Sequence, residues 1–352
     1  MKPFFIYPGS FCPPTYGHVE IAKRAVELFQ KVRVVCSVNP GKENAWFSPK
    51  DCEEMWLTYN LCPQIKIAVF GKSPARDKKN LQTVMIRGIR DDRDLDYEKK
   101  VVLFNRERFG IMNYVYLLSD DDFKHISSTS AKKAAERLNL QALGKQVSPM
   151  VVSKMLEKVL EIKNLFMVVG KAGSGKSTFL KMVAQENPEN VFINTDEFTH
   201  QLRPLLLQTF GEMDLVDIAI NHNEELKKVI GGPWMELVKK ALRSVPHNSN
   251  VFLEVPYGLQ PDKMAFKRFG GKIIYVGCEN DEQNRQRIIG RGTPEIVKFI
   301  NKIPGKEETL EIAKKYKLSV ECIDTSGTLD DLKKKVADFC KNLRLIKEVS
   351  HD

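Results

Sequence analysis

Short apolar runs at 3–7, 32–38, 65–70, 83–88 and 114–118 alternate with stretches in which apolar residues recur every three or four positions. The runs predict buried strands. The intervening stretches predict amphipathic helices, with Ile21, Ala22, Ala25, Val26 and Phe29 forming one stripe. Ser48 followed by Pro49 marks a helix start, and the segments 94–109 and 128–138 supply two further helices. The segment 148–164 reads as a helix that closes this first unit. A second alternation follows, with strands at 165–170, 191–195, 250–255, 272–277 and 319–323. Strand–helix alternation implies parallel sheets covered on both faces. The expected fold is therefore α/β, with two parallel-sheet domains over 1–160 and 161–345 and a frayed tail over 346–352.

Composition adds limits. At 352 residues, two domains fit better than one. No apolar run approaches the roughly 20 residues that span a bilayer, and the opening "MKPFFIYPGS" is too short for the core of a secretion signal. The net charge of +10 comes from lysines and arginines scattered among acids. That spread describes a solvated surface with phosphate-bearing substrates, and it argues against a nucleic-acid module. Seven cysteines, an odd number without a CxxC pair, describe a reduced, cytoplasmic chain with free thiols.

Two stretches carry chemistry. Residues 170–177, "GKAGSGKS", lie between an apolar run and a helix pattern. They match the phosphate-cradling loop G-x-x-x-x-G-K-[ST]. Gly170, Gly173, Ser174 and Gly175 shape the loop, Lys176 would reach the outer phosphates, Ser177 would hold Mg²⁺, and Thr178 follows at the helix start. About 20 residues on, Asp196 follows a strand, where a carboxylate takes a proton from an acceptor hydroxyl or holds Mg²⁺. Its other reading is an acidic helix cap. Arg287 and Arg291 share one helix face, as a lid over a transferring phosphoryl group requires or as a solvated basic face allows.

Residues 165–343 resemble dephospho-coenzyme A kinase through "GSGKST", "INTDEF", "FLEVPYGL" and the Arg287/Arg291 pair. The resemblance implies Asp196 as catalytic base and Arg291 as lid residue. Asn194, the "GGP" at 231–233 and Gly292 depart from that pattern.

The other stretch is "YPGSFCPPTYGH", residues 7–18. A strand ends in a Gly-Ser turn, and Gly17 and His18 open a helix, which makes a second phosphate cradle without the P-loop lysine. With "NPGK" at 39–42, "RGIR" at 87–90, "DLDYE" at 94–98 and "ISS" at 126–128, the set closely resembles phosphopantetheine adenylyltransferase, within the TxGH nucleotidyltransferases. Cys12 stands where that family has Asp. The resemblance implies attack of 4′-phosphopantetheine on the α-phosphorus of ATP. Ser10 and His18 would contact the α-phosphate, Lys42 and Arg90 would position the attacking phosphate, and Arg87 would balance charge. Ser127, Ser128 and Thr129 would hold the outer phosphates. Gly9, Phe11, Gly88 and Glu98 complete the nucleotide site, with Gly17 bare so that the nucleotide can lie against the backbone.

Together the resemblances imply a two-step enzyme of coenzyme A synthesis. It would use ATP and Mg²⁺, take 4′-phosphopantetheine and then dephospho-coenzyme A, touch neither nucleic acid nor membrane, and self-associate through its N-terminal domain. The alternatives are a fused adenylyltransferase–kinase of NAD synthesis and a nucleotide-binding regulator with one decayed site.

Overall fold

The computed structural model describes residues 3–38, 45–70, 82–255, 259, 264–278, 280–290, 297 and 303–348. The chain divides into two compact units, 1–151 and 152–352.

In the first unit the order is β1 (Phe4–Gly9), α1 (Tyr16–Phe29), β2 (Val32–Cys36), α2 (Pro49–Leu57), β3 (Ile65–Val69), β4 (Thr83–Ile89), α3 (Asp92–Phe109), β5 (Asn113–Leu118), α4 (Ser128–Glu136), α5 (Leu140–Gly144) and α6 (Pro149–Leu160). All five strands are parallel, in the order β3-β2-β1-β4-β5. The order reverses between β1 and β4, so a crevice opens at their carboxyl ends, where ligands bind in such sheets. Ile6, Val35, Met85 and Ile111 fill a core on one face. On α1, Ile21 packs so closely on β4 that a Cβ at Gly88 would lie 3.0 Å from its Cγ1. Gly88 thus serves helix–strand packing, a purpose separate from the nucleotide role expected of it.

The first division falls inside α6, which stops at Leu160 because Glu161 turns to a φ of 54°. The helix pattern read over 148–164 is therefore cut short, and β6 begins at Asn164.

The second unit continues with β6 (Asn164–Val169), α7 (Lys176–Glu186), β7 (Asn190–Asn194), α8 (Asp196–Gln201), α9 (Arg203–Phe210), α10 (Leu215–Asn221), α11 (Asn223–Arg243), β8 (Asn250–Glu254), α12 (Phe266–Phe269), β9 (Lys272–Gly277), α13 (Asp281–Ile289), α14 (Lys306–Tyr316), β10 (Ser319–Asp324) and α15 (Leu329–Glu348). Its parallel sheet runs β10-β9-β6-β8-β7, with the P-loop strand β6 at the centre. Phe179 and Val183 of α7 and Val336 and Phe339 of α15 pack on Val168, Phe252, Ile274 and Val276 of the sheet.

The ten strands begin and end within two residues of the runs read from sequence. Helix α15 extends to Glu348, so three residues assigned to the frayed tail are helical; 349–352 lie outside the described residues. The "GGP" segment sits inside α11, with Pro233 in the helix interior. Among the described residues, no helix is long and apolar enough to cross a membrane.

Candidate functional site

The turn between β1 and α1 is fastened from three sides. Ser128 donates to the Pro13 carbonyl at 2.8 Å, the Tyr59 hydroxyl to the Pro14 carbonyl at 2.7 Å, and Arg87 Nη1 to the Pro8 carbonyl at 2.8 Å. Phe47 N–H donates to Cys12 Sγ at 3.3 Å. The ring of Phe11 meets those of Tyr7, His18 and Trp56 edge to face, at 5.0, 5.1 and 5.2 Å. A Cβ on Gly9 would collide with the Phe11 ring at 2.8 Å, so a bare residue at that strand end lets the turn fold back. Ser10, half-buried, lies between them.

His18 occupies the third position of α1. The backbone N–H of the cap residue Thr15 donates to its Nδ1 at 3.0 Å, and Thr15 Oγ1 lies 2.9 Å from the same atom. A backbone N–H can only donate, so Nδ1 carries the lone pair and the neutral ring holds its proton on Nε2. The cap therefore sets the tautomer that donates from Nε2. A Cβ on Gly17 would lie 3.4 Å from the Ile126 carbonyl oxygen, an ordinary contact.

Several of the expected site residues make contacts within the protein. Arg87 donates through Nε and Nη2 to both Glu98 oxygens, at 2.7 and 2.6 Å, and the pair is nearly enclosed. With Nη1 on Pro8, it braces β4, α3 and β1, and Glu98 already offsets its charge. Glu98→Gln should therefore destabilise the first unit by about 3 kcal/mol, because a guanidinium would be left enclosed without its counter-ion; thermal or urea unfolding measures this.

Ser127 and Ser128 also spend their hydroxyls on the protein. Ser127 Oγ caps α4 by accepting Ser130 N–H at 3.0 Å, while Ser128 holds Pro13. What remains for an anion at α4 is Thr129, which is exposed, and the backbone amides of the first turn. Arg90 is exposed and clasps Asp94 with Nε and Nη2, both at 3.0 Å, and Asp94 holds its guanidinium more firmly protonated. Burial raises the Tyr7 phenol well above its ordinary range, against the pull of Arg87 and Arg90. Tyr7 is therefore a buried, neutral hydroxyl. Lys42 lies outside the described residues.

In the second unit the loop after β6 uses left-handed backbone at Gly173 (φ 74°) and Gly175 (φ 88°), where a side chain would be strained. A Cβ at Gly170 would strike the Val276 carbonyl oxygen at 2.0 Å. Gly175 precedes α7 without a capping side chain, and the buried Ser174 Oγ has no hydrogen-bond partner. Ser177 is exposed and Thr178 half-buried in the first turn. Lys176 folds onto its own loop, donating to the Gly170 and Lys171 carbonyls at 3.0 and 3.1 Å, with Glu254 3.7 Å away.

Asp196 is the first residue of α8 and does not cap it, which removes the helix-cap reading. Asn194 instead accepts the Asp196 N–H at 3.0 Å and donates to Glu197 at 3.2 Å. The residue that departs from the kinase pattern thus organises this helix start. Asp196 is open to solvent on one side, yet its crowded surroundings push its carboxyl above the ordinary range, and the Lys176 charge pulls the other way.

Glu254 is a buried acid beside the P-loop lysine that the motif reading did not single out. It ends β8 opposite Asn194, is 4% exposed, and its carbonyl accepts from Thr195 Oγ1 at 2.6 Å. The available signal was an apolar run, "VFL", ending in an acid. Only the strand order shows that this run adjoins the P-loop strand.

Arg287 also makes contacts within the protein. It donates to Thr325 Oγ1 at 3.2 Å and to the Thr325 carbonyl at 2.8 Å, and Thr325 in turn donates to the Ser174 carbonyl at 2.6 Å. It therefore ties α13 to the P-loop through β10's end, where its charge is held by carbonyl dipoles. Arg291 lies outside the described residues. Among the described residues, no three His, Cys, Asp or Glu side chains cluster as a preformed metal cage.

These geometries meet the comparisons with known proteins. Residues 6–134 match the Cytidylyltransferase-like family model. The first unit is therefore a nucleotidyltransferase domain, as its sheet order and TxGH turn also indicate. The phosphopantetheine adenylyltransferase of Leptospira biflexa is 32% identical over 160 residues, which are 45% of this chain and 98% of the relative. That of Petrotoga mobilis is 32% identical over 158 residues, 44% of this chain and 95% of its own. The chain belongs, through its N-terminal unit, to the phosphopantetheine adenylyltransferase family. A solved structure titled NadR protein in complex with NR aligns with 96% of this chain and 94% of its own, at 14% identity and a TM-score of 0.32.

Proposed function

We propose that the first unit joins the adenylyl group of ATP to 4′-phosphopantetheine, and that the second phosphorylates the 3′-hydroxyl of the resulting dephospho-coenzyme A. The first step is carried by one observation: a near end-to-end match to phosphopantetheine adenylyltransferases, in a chain whose cap fixes His18 with its proton on Nε2. A phosphate oxygen of the acceptor attacks the α-phosphorus and pyrophosphate leaves. Negative charge grows on the α-phosphate, where a fixed N–H donor stabilises the transition state without reorganising. Arg90 on its Asp94 tether positions the attacking phosphate with Lys42. Thr129 and the α4 amides take the outer phosphates, and Arg87, with Glu98, holds the turn in register.

The second step rests on the P-loop geometry. The unmet Ser174 hydroxyl and uncapped α7 amides suit phosphate oxygens. Asp196 accepts the proton of the attacking hydroxyl, a task its raised pKa favours. Ser177 and Glu254 are suited to hold Mg²⁺ together with the substrate's phosphates. That ion supplies charge neutralisation on the transferring group. Exposed Leu103 and Phe104 of α3 and Met112 and Leu118 at β5 give the first unit an apolar surface for self-association, in a chain we assign to the cytoplasm.

Mass spectrometry of products from the purified chain with 4′-phosphopantetheine and MgATP tests both steps. Coenzyme A is the expected product. Dephospho-coenzyme A alone would overturn the kinase assignment, and no adenylylated product would overturn the adenylyltransferase assignment.

A further inference from the structure

A residue that the motifs did not single out fastens the P-loop to its surroundings. Thr325 follows β10 and is 5% exposed. Its N–H continues the pairing of β10 with β9, donating to the Gly277 carbonyl at 2.8 Å. Its hydroxyl meets groups from two other elements. Arg287 on α13 donates to Oγ1 through Nη1 at 3.2 Å, and the Ser174 carbonyl of the P-loop lies 2.6 Å from the same oxygen. A guanidinium can only donate, so Oγ1 accepts from Arg287. The one hydroxyl proton is left for a carbonyl, and Ser174 is much nearer than Gly277 at 3.3 Å. The bonds therefore run in one direction, from Arg287 through Thr325 to Ser174. Arg287 Nη2 also donates to the Thr325 carbonyl at 2.8 Å, so the threonine is held at its backbone as well as its hydroxyl.

The same neighbours pack against the loop glycines. A Cβ on Gly175 would lie 3.3 Å from Thr325 Cγ2 and Oγ1. One on Gly173 would lie 2.7 Å from Ile288 Cγ1 and 2.9 Å from the Asn284 carbonyl oxygen, both on α13. The direction of the Ser174 carbonyl decides that of the next N–H, because in a planar trans peptide the two point opposite ways. Drawing the carbonyl to Thr325 turns the Gly175 N–H away from it, and among the described residues that N–H has no bonding partner. A flipped peptide would put a carbonyl dipole where the N–H stands, and it would repel the phosphate that the N–H attracts. Gly175 tolerates φ of either sign, so its own backbone does not prevent the flip.

We propose that Thr325 is a positioning residue of the phosphorylation site: its hydroxyl locks the Ser174–Gly175 peptide with the N–H offered to the outer phosphates of ATP. The inference rests, for its effect on turnover, on the kinase reading of the second unit. Thr325 acts through the P-loop peptide and is not itself a catalytic residue. The N–H it sets is fixed before ATP arrives and is offered alike to the bound nucleotide and to the transition state. Losing its direction therefore weakens ATP binding more than it slows the transfer. The acceptor hydroxyl is no ligand of this peptide, so its own binding should not change.

The test supplies dephospho-coenzyme A and MgATP to the full chain and follows the phosphorylation step alone. Thr325→Val keeps the volume and removes the hydroxyl. KM for ATP should rise about tenfold, kcat should change by less than about threefold, and KM for dephospho-coenzyme A should stay the same. Thr325→Ser restores the hydroxyl and should bring KM for ATP back to within about twofold of the unaltered chain. Thr325→Ala serves if the valine is not tolerated. An unchanged KM for ATP in the variant that lacks the hydroxyl would overturn the proposal. So would an equal rise in the serine variant, or a matching rise in KM for dephospho-coenzyme A, since either marks lost packing and not a turned peptide. Should the unaltered chain fail to phosphorylate dephospho-coenzyme A, the kinase reading falls, and hydrogen exchange of a peptide spanning 170–177 decides the brace. Without nucleotide, that peptide should exchange about tenfold faster in Thr325→Val than in the unaltered or Thr325→Ser chain. Equal exchange in all three would overturn the proposal.

Discussion

Replacing His18 with alanine is expected to slow formation of dephospho-coenzyme A by about 10³-fold, with little change in the affinity for ATP. The ring's Nδ1 is occupied by the Thr15 N–H at 3.0 Å, so its chemistry resides in Nε2–H. Removing that donor takes away an interaction that strengthens only as charge gathers on the α-phosphate. Such a loss falls on kcat more than on KM. His18→Gln keeps an N–H donor and should recover part of the rate. Thr15→Ala is the informative companion. It deletes the hydroxyl but keeps the backbone N–H that fixes the tautomer, so its cost should be about tenfold or less. Steady-state kinetics on each variant, with circular dichroism to confirm folding, checks the set. If His18→Ala keeps full turnover and loses only about 1 kcal/mol of stability, the residue is a helix cap and nothing more.

The second large effect is expected at Lys176. Lys176→Ala should abolish the phosphorylation step, by about 10³-fold, and leave adenylyl transfer intact. In the structure this ammonium bonds two carbonyls of its own loop and lies 3.7 Å from Glu254. Phosphate binding therefore exchanges one set of anionic partners for another, and the lysine need not be drawn from solvent. The substitution also leaves Glu254, 4% exposed, without its cation, so the alanine variant should be less stable as well as inactive. Lys176→Ala combined with Glu254→Gln separates the two effects. Stability should recover and phosphorylation should stay absent. Glu254→Gln alone should also lower phosphorylation, with a weakened response to added Mg²⁺. Assaying the second step with dephospho-coenzyme A supplied directly reads it free of the first. Loss of both activities in a folded Lys176→Ala chain would overturn the assignment of separate sites.

Much of this was legible in the sequence, for reasons that differ from residue to residue. The strands were visible because each is a short apolar run that must be buried, and a parallel sheet buries both faces. The P-loop was visible because its conformation demands glycine at fixed positions, which leaves a mark no other residue can imitate. His18 was visible because a cap, a bare residue and a histidine fall within four positions of one another. In these cases the physical requirement is local, so the chain carries it as a local pattern.

Contacts with distant segments were not legible. Arg87 and Glu98 were read as facing a substrate, yet they face each other from β4 and α3. Ser127 and Ser128 look alike in sequence, but one caps its own helix and the other holds a carbonyl 115 residues away. Arg287 was set over a phosphoryl group and instead bonds Thr325, 38 residues on. A cation or hydroxyl advertises what it can bond, never which partner arrives.

The sequence by itself determined the two α/β units, the two phosphate-binding turns and the kinds of residue in each. Tertiary structure decided which polar groups were spent on the protein and which remained for a ligand. It brought Glu254 beside Lys176. The reason is that strand order and helix packing, which set those neighbours, arise from contacts among segments far apart in the chain.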